Sequence, residues 1–204
     1  MKYPVYWAVV MIALVTMTTS VRAEEENHGQ KLIHKVCSAC HGQGGTTTSP
    51  NFPRLAGQQA VYMEKELTEF RDKSRKDPDA APMWGWARSL SDQDIKEIAA
   101  YYAAQTPVPG ENGAENLLAR GKEIFETGIP SNNVPACASC HGPNAEGNGG
   151  TPRLASQHAA YLTRQLGTAF HDATLRPEAV AMHFVVKGLS DEDIKALTTY
   201  LQSK

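Results

Sequence analysis

The chain has 204 residues, 41% hydrophobic and 21% charged, with a formal net charge of -2. That length suits one or two domains, and the balance is ordinary for a folded globular chain, so disordered, collagen-like and polytopic membrane proteins are excluded. There is no basic excess or basic stripe, the electrostatic footprint a nucleic-acid binder would carry.

The first 23 residues read as a secretory leader. Lys2 gives the positive start, Val5 to Met17 the apolar middle, and Val21-Arg22-Ala23 the small-x-small cleavage shape. The apolar run is shorter than the about 20 residues that span a bilayer. An uncleaved anchor is the competing reading. Cleavage near Ala23 removes Lys2 and Arg22, which takes the net charge from -2 to -4. The expected destination is oxidising: in a bacterium, the periplasm. No later segment is long and apolar enough to span, so any membrane association would be peripheral.

A first module is expected over residues 24–105. It opens on Cys37-Ser38-Ala39-Cys40-His41-Gly42, followed by a Gly-, Thr-, Asn- and Pro-rich loop over 42–57. Ala60, Met63, Leu67 and Phe70 step by three and four, which predicts a helix. Met83 precedes Leu90-Ser91-Asp92, where Ser91 reads as an N-cap with Asp92 and Asp94 in the first turn. Ile95, Ile98 and Tyr102 then form an inward stripe. Residues 106–113, with two Pro and two Gly and no apolar period, read as a linker. Its shortness predicts that the modules touch.

The second module, 114–204, repeats the first. Cys137-Ala138-Ser139-Cys140-His141-Gly142 lies 100 residues after its counterpart. An offset of 99 then holds for Pro53-Arg54-Leu55-Ala56 with Pro152-Arg153-Leu154-Ala155, and for Gln58/Gln157, Tyr62/Tyr161, Leu67/Leu166, Met83/Met182, Ile95/Ile194 and Tyr101/Tyr200. Ala159, Leu162 and Leu166 repeat the helical step, and Ser190 the cap. Ile194, Leu197 and Leu201 repeat the stripe. The second copy carries 8 extra residues, within Glu126 to Ala136. No segment sustains period-two alternation, so the expected fold is all-α, in two tandem domains.

C-x-x-C-H is the attachment signature of c-type haem. Two thiols add across the two vinyl groups of one porphyrin, and the adjacent His lies under the iron as its proximal ligand. The pattern therefore assigns Cys37 and Cys40, and Cys137 and Cys140, to two covalently bound haem c groups, with His41 and His141 on the irons. The competing readings are one zinc held by both Cys pairs and redox-active dithiols. Zinc does not explain the adjacent His in both copies. A thioredoxin-like site needs strands.

For the sixth iron position the matched Met83 and Met182 are the candidates. Ordinary core packing is the alternative, and it is preferred for Met63, whose counterpart is Leu162. His183 is the rival beside Met182. On a helix those two residues point about 100° apart. His28, His34, His158 and His171 lack counterparts and read as surface or packing residues. A ligating His usually gives its other N–H to a carbonyl or carboxylate, and Pro53 and Pro152 are candidates to supply it. Arg54 and Arg153 are candidates to pair with haem propionates. For Arg75, Arg88 and Arg176 a solvated surface position is preferred.

These residues together make the sequence resemble the cytochrome c family, most closely its diheme cytochrome c4 group. The resemblance rests on both C-x-x-C-H-G motifs, the two Pro-Arg-Leu-Ala-x-Gln segments, Tyr62 and Tyr161, Met83 and Met182, and Leu90-Ser91 and Leu189-Ser190 with the Asp-Ile that follows each. Departures are Trp84 and Trp86 beside Met83, His183 and Phe184 beside Met182, and Ser156 in place of Gly57. The resemblance implies two packed all-α domains related by approximate two-fold symmetry, with neighbouring haem edges and with the Pro53 and Pro152 carbonyls holding the haem histidines. It implies a periplasmic electron carrier, not an enzyme, between a quinol-oxidising donor complex and a terminal oxidase. The alternatives are an electron-transfer subunit of a dehydrogenase or oxidase, and a diheme peroxidase-like enzyme. The matched Met83 and Met182 argue against the last, which needs an open iron.

Overall fold

The computed structural model describes residues 27–204, so the leader reading at 1–23 lies outside the described residues. The described residues build α1 (His28–Leu32), α2 (Ser38–His41), α3 (Ala60–Arg71), α4 (Ala81–Ala87), α5 (Asp92–Ala103), α6 (Glu115–Thr127), α7 (Ala138–His141), α8 (Ala159–Arg164), α9 (Val180–Val185) and α10 (Asp191–Ser203). Extended pairing among them is limited to two isolated bridges, Ile129 with Val134 and Asn148 with Thr151. The fold is all-α, and α6–α10 repeat the order of α1–α5.

The helix boundaries follow from local chemistry. Ser91 and Ser190 close capping boxes with Asp94 and Asp193, satisfying free N–H groups at the starts of α5 and α10. The stripes Ile95, Ile98, Tyr102 and Ile194, Leu197, Leu201 are buried. Each large apolar side chain so buried contributes about 1.5–3 kcal/mol, which fixes the rotation of α5 and α10.

The repeats differ where the second is longer. In the first, α1 runs through a π turn, Ile33–Cys37, directly into α2. In the second, Gly128 ends α6 with φ 72, and a tight turn at Pro130–Asn132, closed by the Ile129–Val134 bridge, precedes α7. α8 also departs from a plain helix, passing into a π turn over Gln165–Ala169. Where α6 crosses α10 the backbones nearly touch: a β-carbon on Gly121 would lie 2.2 Å from the Ala196 carbonyl oxygen.

The second repeat has one apolar core cluster, including Phe125, Leu162, Leu166 and Leu201. The core of the first divides into Ile33, Met63, Ile98, Ala99 and Tyr102 on one side and Phe70, Ala80 and Ala87 on the other.

The repeats touch, and they do so reciprocally. Arg54 N donates to Gln157 Oε1 at 2.9 Å, and Arg153 N donates to Gln58 Oε1 at 2.7 Å. The same bond made in both directions is what a two-fold axis between the repeats requires. Residues 106–114 carry no helix. They pack against the repeats: Glu111 N donates to Gln202 O at 3.0 Å.

Candidate metal centres

Each C-x-x-C-H motif lies on a short helix that ends at its histidine, α2 on His41 and α7 on His141. Gly42 (φ 77) and Gly142 (φ 80) follow, a conformation that residues with a side chain rarely adopt. The chain then folds back on itself. Thr47 N donates to His41 O at 2.9 Å and Gly147 N to His141 O at 2.8 Å. Gly45 O accepts from Leu55 and Ala56, and Ala145 O from Leu154 and Ala155.

This closure brings a proline carbonyl onto each imidazole. His41 Nδ1 lies 2.9 Å from Pro53 O, and His141 Nδ1 lies 2.9 Å from Pro152 O. A carbonyl only accepts, so Nδ1 carries the hydrogen. Burial pushes both imidazole pKa values below the ordinary histidine value, against the opposing pull of the carbonyls. A neutral ring protonated at Nδ1 presents its lone pair on Nε2, the form a metal ligand needs.

The first cysteine of each motif is packed on apolar core, whereas Cys40 is half-buried outside the core clusters and Cys140 is exposed. Cys37 lies against the Ile33 cluster and Cys137 against the core of the second repeat. Burial raises the Cys37 thiol pKa and pushes that of Cys137 up to about 11. A reactive dithiol would have its thiol pKa lowered instead. Among the described residues no group of three or more His, Cys, Asp or Glu side chains is placed to hold a metal ion, so the two Cys pairs do not converge on one zinc.

Met83 on α4 and Met182 on α9 occupy equivalent, half-buried places. Met83 packs on the Phe70 cluster, so in the first repeat Cys37 and Met83 belong to separate apolar clusters. His183 is buried, with Nδ1 2.7 Å from Phe170 O and Nε2 2.9 Å from Arg176 O. Both of its ring nitrogens are engaged by backbone, which leaves the Met182 thioether as the unengaged donor of the pair.

The arginines diverge. Arg54 is committed to protein partners: Nε to Thr47 O at 3.2 Å, Nη1 to Ser156 O at 2.5 Å, and Nη2 to Glu111. Its counterpart Arg153 keeps a buried Nε with no partner among the described residues, and burial lowers its pKa. Such a guanidinium is complementary to a carboxylate. Two thiols, one imidazole lone pair and one thioether in each repeat, with the unpartnered Arg153 Nε in the second, fit c-type haem groups and their propionates.

The solvated position expected for Arg75 and Arg176 is wrong: they are 3% and 4% exposed. Arg75 pairs with Asp77 (Nε to Oδ2, 2.6 Å), and both guanidiniums reach Glu66. Gln165, at the place of Glu66 in the second repeat, accepts from Arg176 Nη1 at 2.8 Å. The sequence signal was Tyr62 and Tyr161, polar residues kept at matched positions in both copies; Tyr161 OH lies 3.5 Å from Arg75 Nη2. Arg88 is exposed, as expected. His158 is a packing residue, its Nε2 3.0 Å from Thr47 O.

Comparison with known proteins gives a family. The cytochrome c family model matches residues 27–104 and 118–204. Cytochrome c4 of Pseudomonas aeruginosa is 39% identical over 171 residues, covering 82% of this chain and 83% of that protein. The thiosulfate dehydrogenase electron acceptor of Thiomonas intermedia is 33% identical over 175 residues, covering 82% and 78%. The crystal structure of reduced recombinant cytochrome c4 from Pseudomonas stutzeri superposes with a TM-score of 0.76 at 37% identity, covering 88% of this chain and 98% of that one.

Proposed function

The chain belongs to the cytochrome c family and to its cytochrome c4 group, and from that premise we propose a diheme electron carrier of the periplasm. Cys37 and Cys40 hold one haem c through thioether bonds, and Cys137 and Cys140 the other. His41 and Met83 ligate the first iron, His141 and Met182 the second. Each bound haem supplies a one-electron iron couple.

The chain's own residues set the terms of that couple. Pro53 and Pro152 fix ring orientation and tautomer at both histidines. His/Met ligation raises the potential above that of a bis-His site, which suits delivery from a quinol-oxidising complex to a terminal oxidase. Two protein ligands on each iron leave no position for a substrate, so the protein carries electrons and is not an enzyme. The exposed Trp86 and Phe184, near Met83 and Met182, offer aromatic contact to redox partners. The module bounds 24–105 and 114–204, and export after Ala23, belong to the same reading.

The observation that carries it is the duplicated geometry: two C-x-x-C-H histidines, each 2.9 Å from the equivalent proline carbonyl. A second reading, electron acceptor of a dehydrogenase, is favoured by the likeness to the Thiomonas intermedia protein. Intact mass and the pyridine haemochrome spectrum of the exported protein test the proposal. Two thioether-bound haems on a chain starting after Ala23 are expected. One haem, or haem extractable into acidified solvent, would contradict it. Reduction by a quinol-oxidising complex against reduction by a dehydrogenase then separates the two readings.

A further inference from the structure

The repeated Gln58 and Gln157 are not used by the ligand sets described above, yet both are buried, at 7% and 6% exposure. Each side-chain amide grips the main chain of the other repeat at two points. Gln157 Oε1 accepts from Arg54 N and Gln157 Nε2 donates to Arg54 O, both at 2.9 Å. Gln58 Oε1 accepts from Arg153 N at 2.7 Å, and Gln58 Nε2 donates to Arg153 O at 2.9 Å.

The peptide unit matters more than the residue name. Arg54 N–H and Pro53 C=O belong to one peptide, and so do Arg153 N–H and Pro152 C=O. Gln157 therefore holds one end of the peptide whose other end accepts from His41 Nδ1, and Gln58 does the same for His141.

We propose that Gln58 and Gln157 are positioning residues that tune the iron ligand of the opposite repeat: Gln157 acts on His41 and Gln58 on His141. A hydrogen bond at the N–H polarises a peptide and makes its carbonyl a stronger acceptor. A stronger acceptor at Nδ1 makes the imidazole a more electron-rich ligand and favours oxidised iron. The inference rests on reading His41 and His141 as the haem ligands.

The test is an NMR-monitored redox titration of the two-haem protein, following signals assigned to each haem. Gln157→Met removes both contacts at nearly constant volume. The potential of the first-repeat haem should rise by about threefold in its reduction equilibrium, roughly 30 mV for one electron, while the second stays put. Gln58→Met should do the reverse. Exchange of the His41 Nδ1 proton with deuterated solvent should accelerate in Gln157→Met only. Gln157→Glu keeps an acceptor for Arg54 N–H and should leave the first-repeat potential at or below that of the parent, whatever the packing cost. Shifts confined to the haem of the substituted repeat, equal shifts at both, or none would overturn the inference. Loss of a haem from the parent protein itself would overturn the ligand reading beneath it.

Discussion

Glu66 of the first repeat and Arg176 of the second form a buried ion pair across the repeat boundary. The same carboxylate also receives Arg75, whose Nε is held by Asp77. Two cations and two carboxylates therefore balance at a seam that the linker alone does not hold. Breaking one partner of a buried pair strands the other charge, at a cost of about 3–5 kcal/mol. Glu66→Gln should lose about 3 kcal/mol of stability in guanidinium unfolding of the holoprotein. Glu66→Leu combined with Arg176→Leu should lose less than Glu66→Leu alone, because no unpaired Arg176 remains. Equal losses would mean that the pair is solvated.

The caps give an acid limit. Burial alone would raise the pKa of Asp94, but hydrogen bonds from Ser91 and His28 outweigh it and hold the carboxyl below its ordinary value. Asp193 is held down likewise, by Arg120 and Ser190. A carboxyl with a depressed folded pKa stabilises the fold above its unfolded pKa, about 3.9, and that stability is lost as pH falls through the folded value. Stability should therefore not depend on these two groups between pH 5 and 8 and should decline below about pH 4. Asp94→Asn should flatten part of that decline. Ser91→Ala should cost about 1 kcal/mol at neutral pH. Urea unfolding across that pH range reads both effects.

At the crossing of α6 and α10, Gly121→Ala would set a methyl group 2.2 Å from the Ala196 carbonyl oxygen. The helices must separate, so a loss of about 1–3 kcal/mol is expected. Thermal unfolding followed by far-ultraviolet circular dichroism measures it. An unchanged midpoint would mean that the crossing is looser than described.

His183 and Met182 make a discriminating pair. The His183 ring is held between Phe170 O and Arg176 O, so it should not replace a missing Met182. Met182→Ala should open the second iron to exogenous ligands and lower its potential, just as Met83→Ala should at the first. If Met182→Ala stays closed while Met83→Ala opens, His183 has moved onto the iron.

Much of this was legible in the sequence because it is local or duplicated. The C-x-x-C-H motifs, the Ser91 and Ser190 caps and the inward stripes of α5 and α10 each lie within a few residues. Pro53 and Pro152 were findable because the repeat marks them twice. The seam between repeats was not legible. Glu66 and Glu69 on α3 are buried, and the Arg176 that pairs with Glu66 lies 110 residues further along the chain. Arg54 contacts Ser156 and Gln157 about a hundred residues away, with no periodicity to announce it. His183 stood as the rival to Met182 because its adjacency is visible in the sequence, whereas the carbonyls that hold its ring are set by the fold.

The account stands or falls on two irons closed by two protein ligands each. The most direct test is carbon monoxide added to the fully reduced two-haem protein at neutral pH, read in the visible spectrum. No spectral change is predicted, because Met83 and Met182 would hold the sixth positions. A change at either haem would show an open or labile iron there, contradict the carrier reading, and point to ligand-binding or enzymatic chemistry at that repeat.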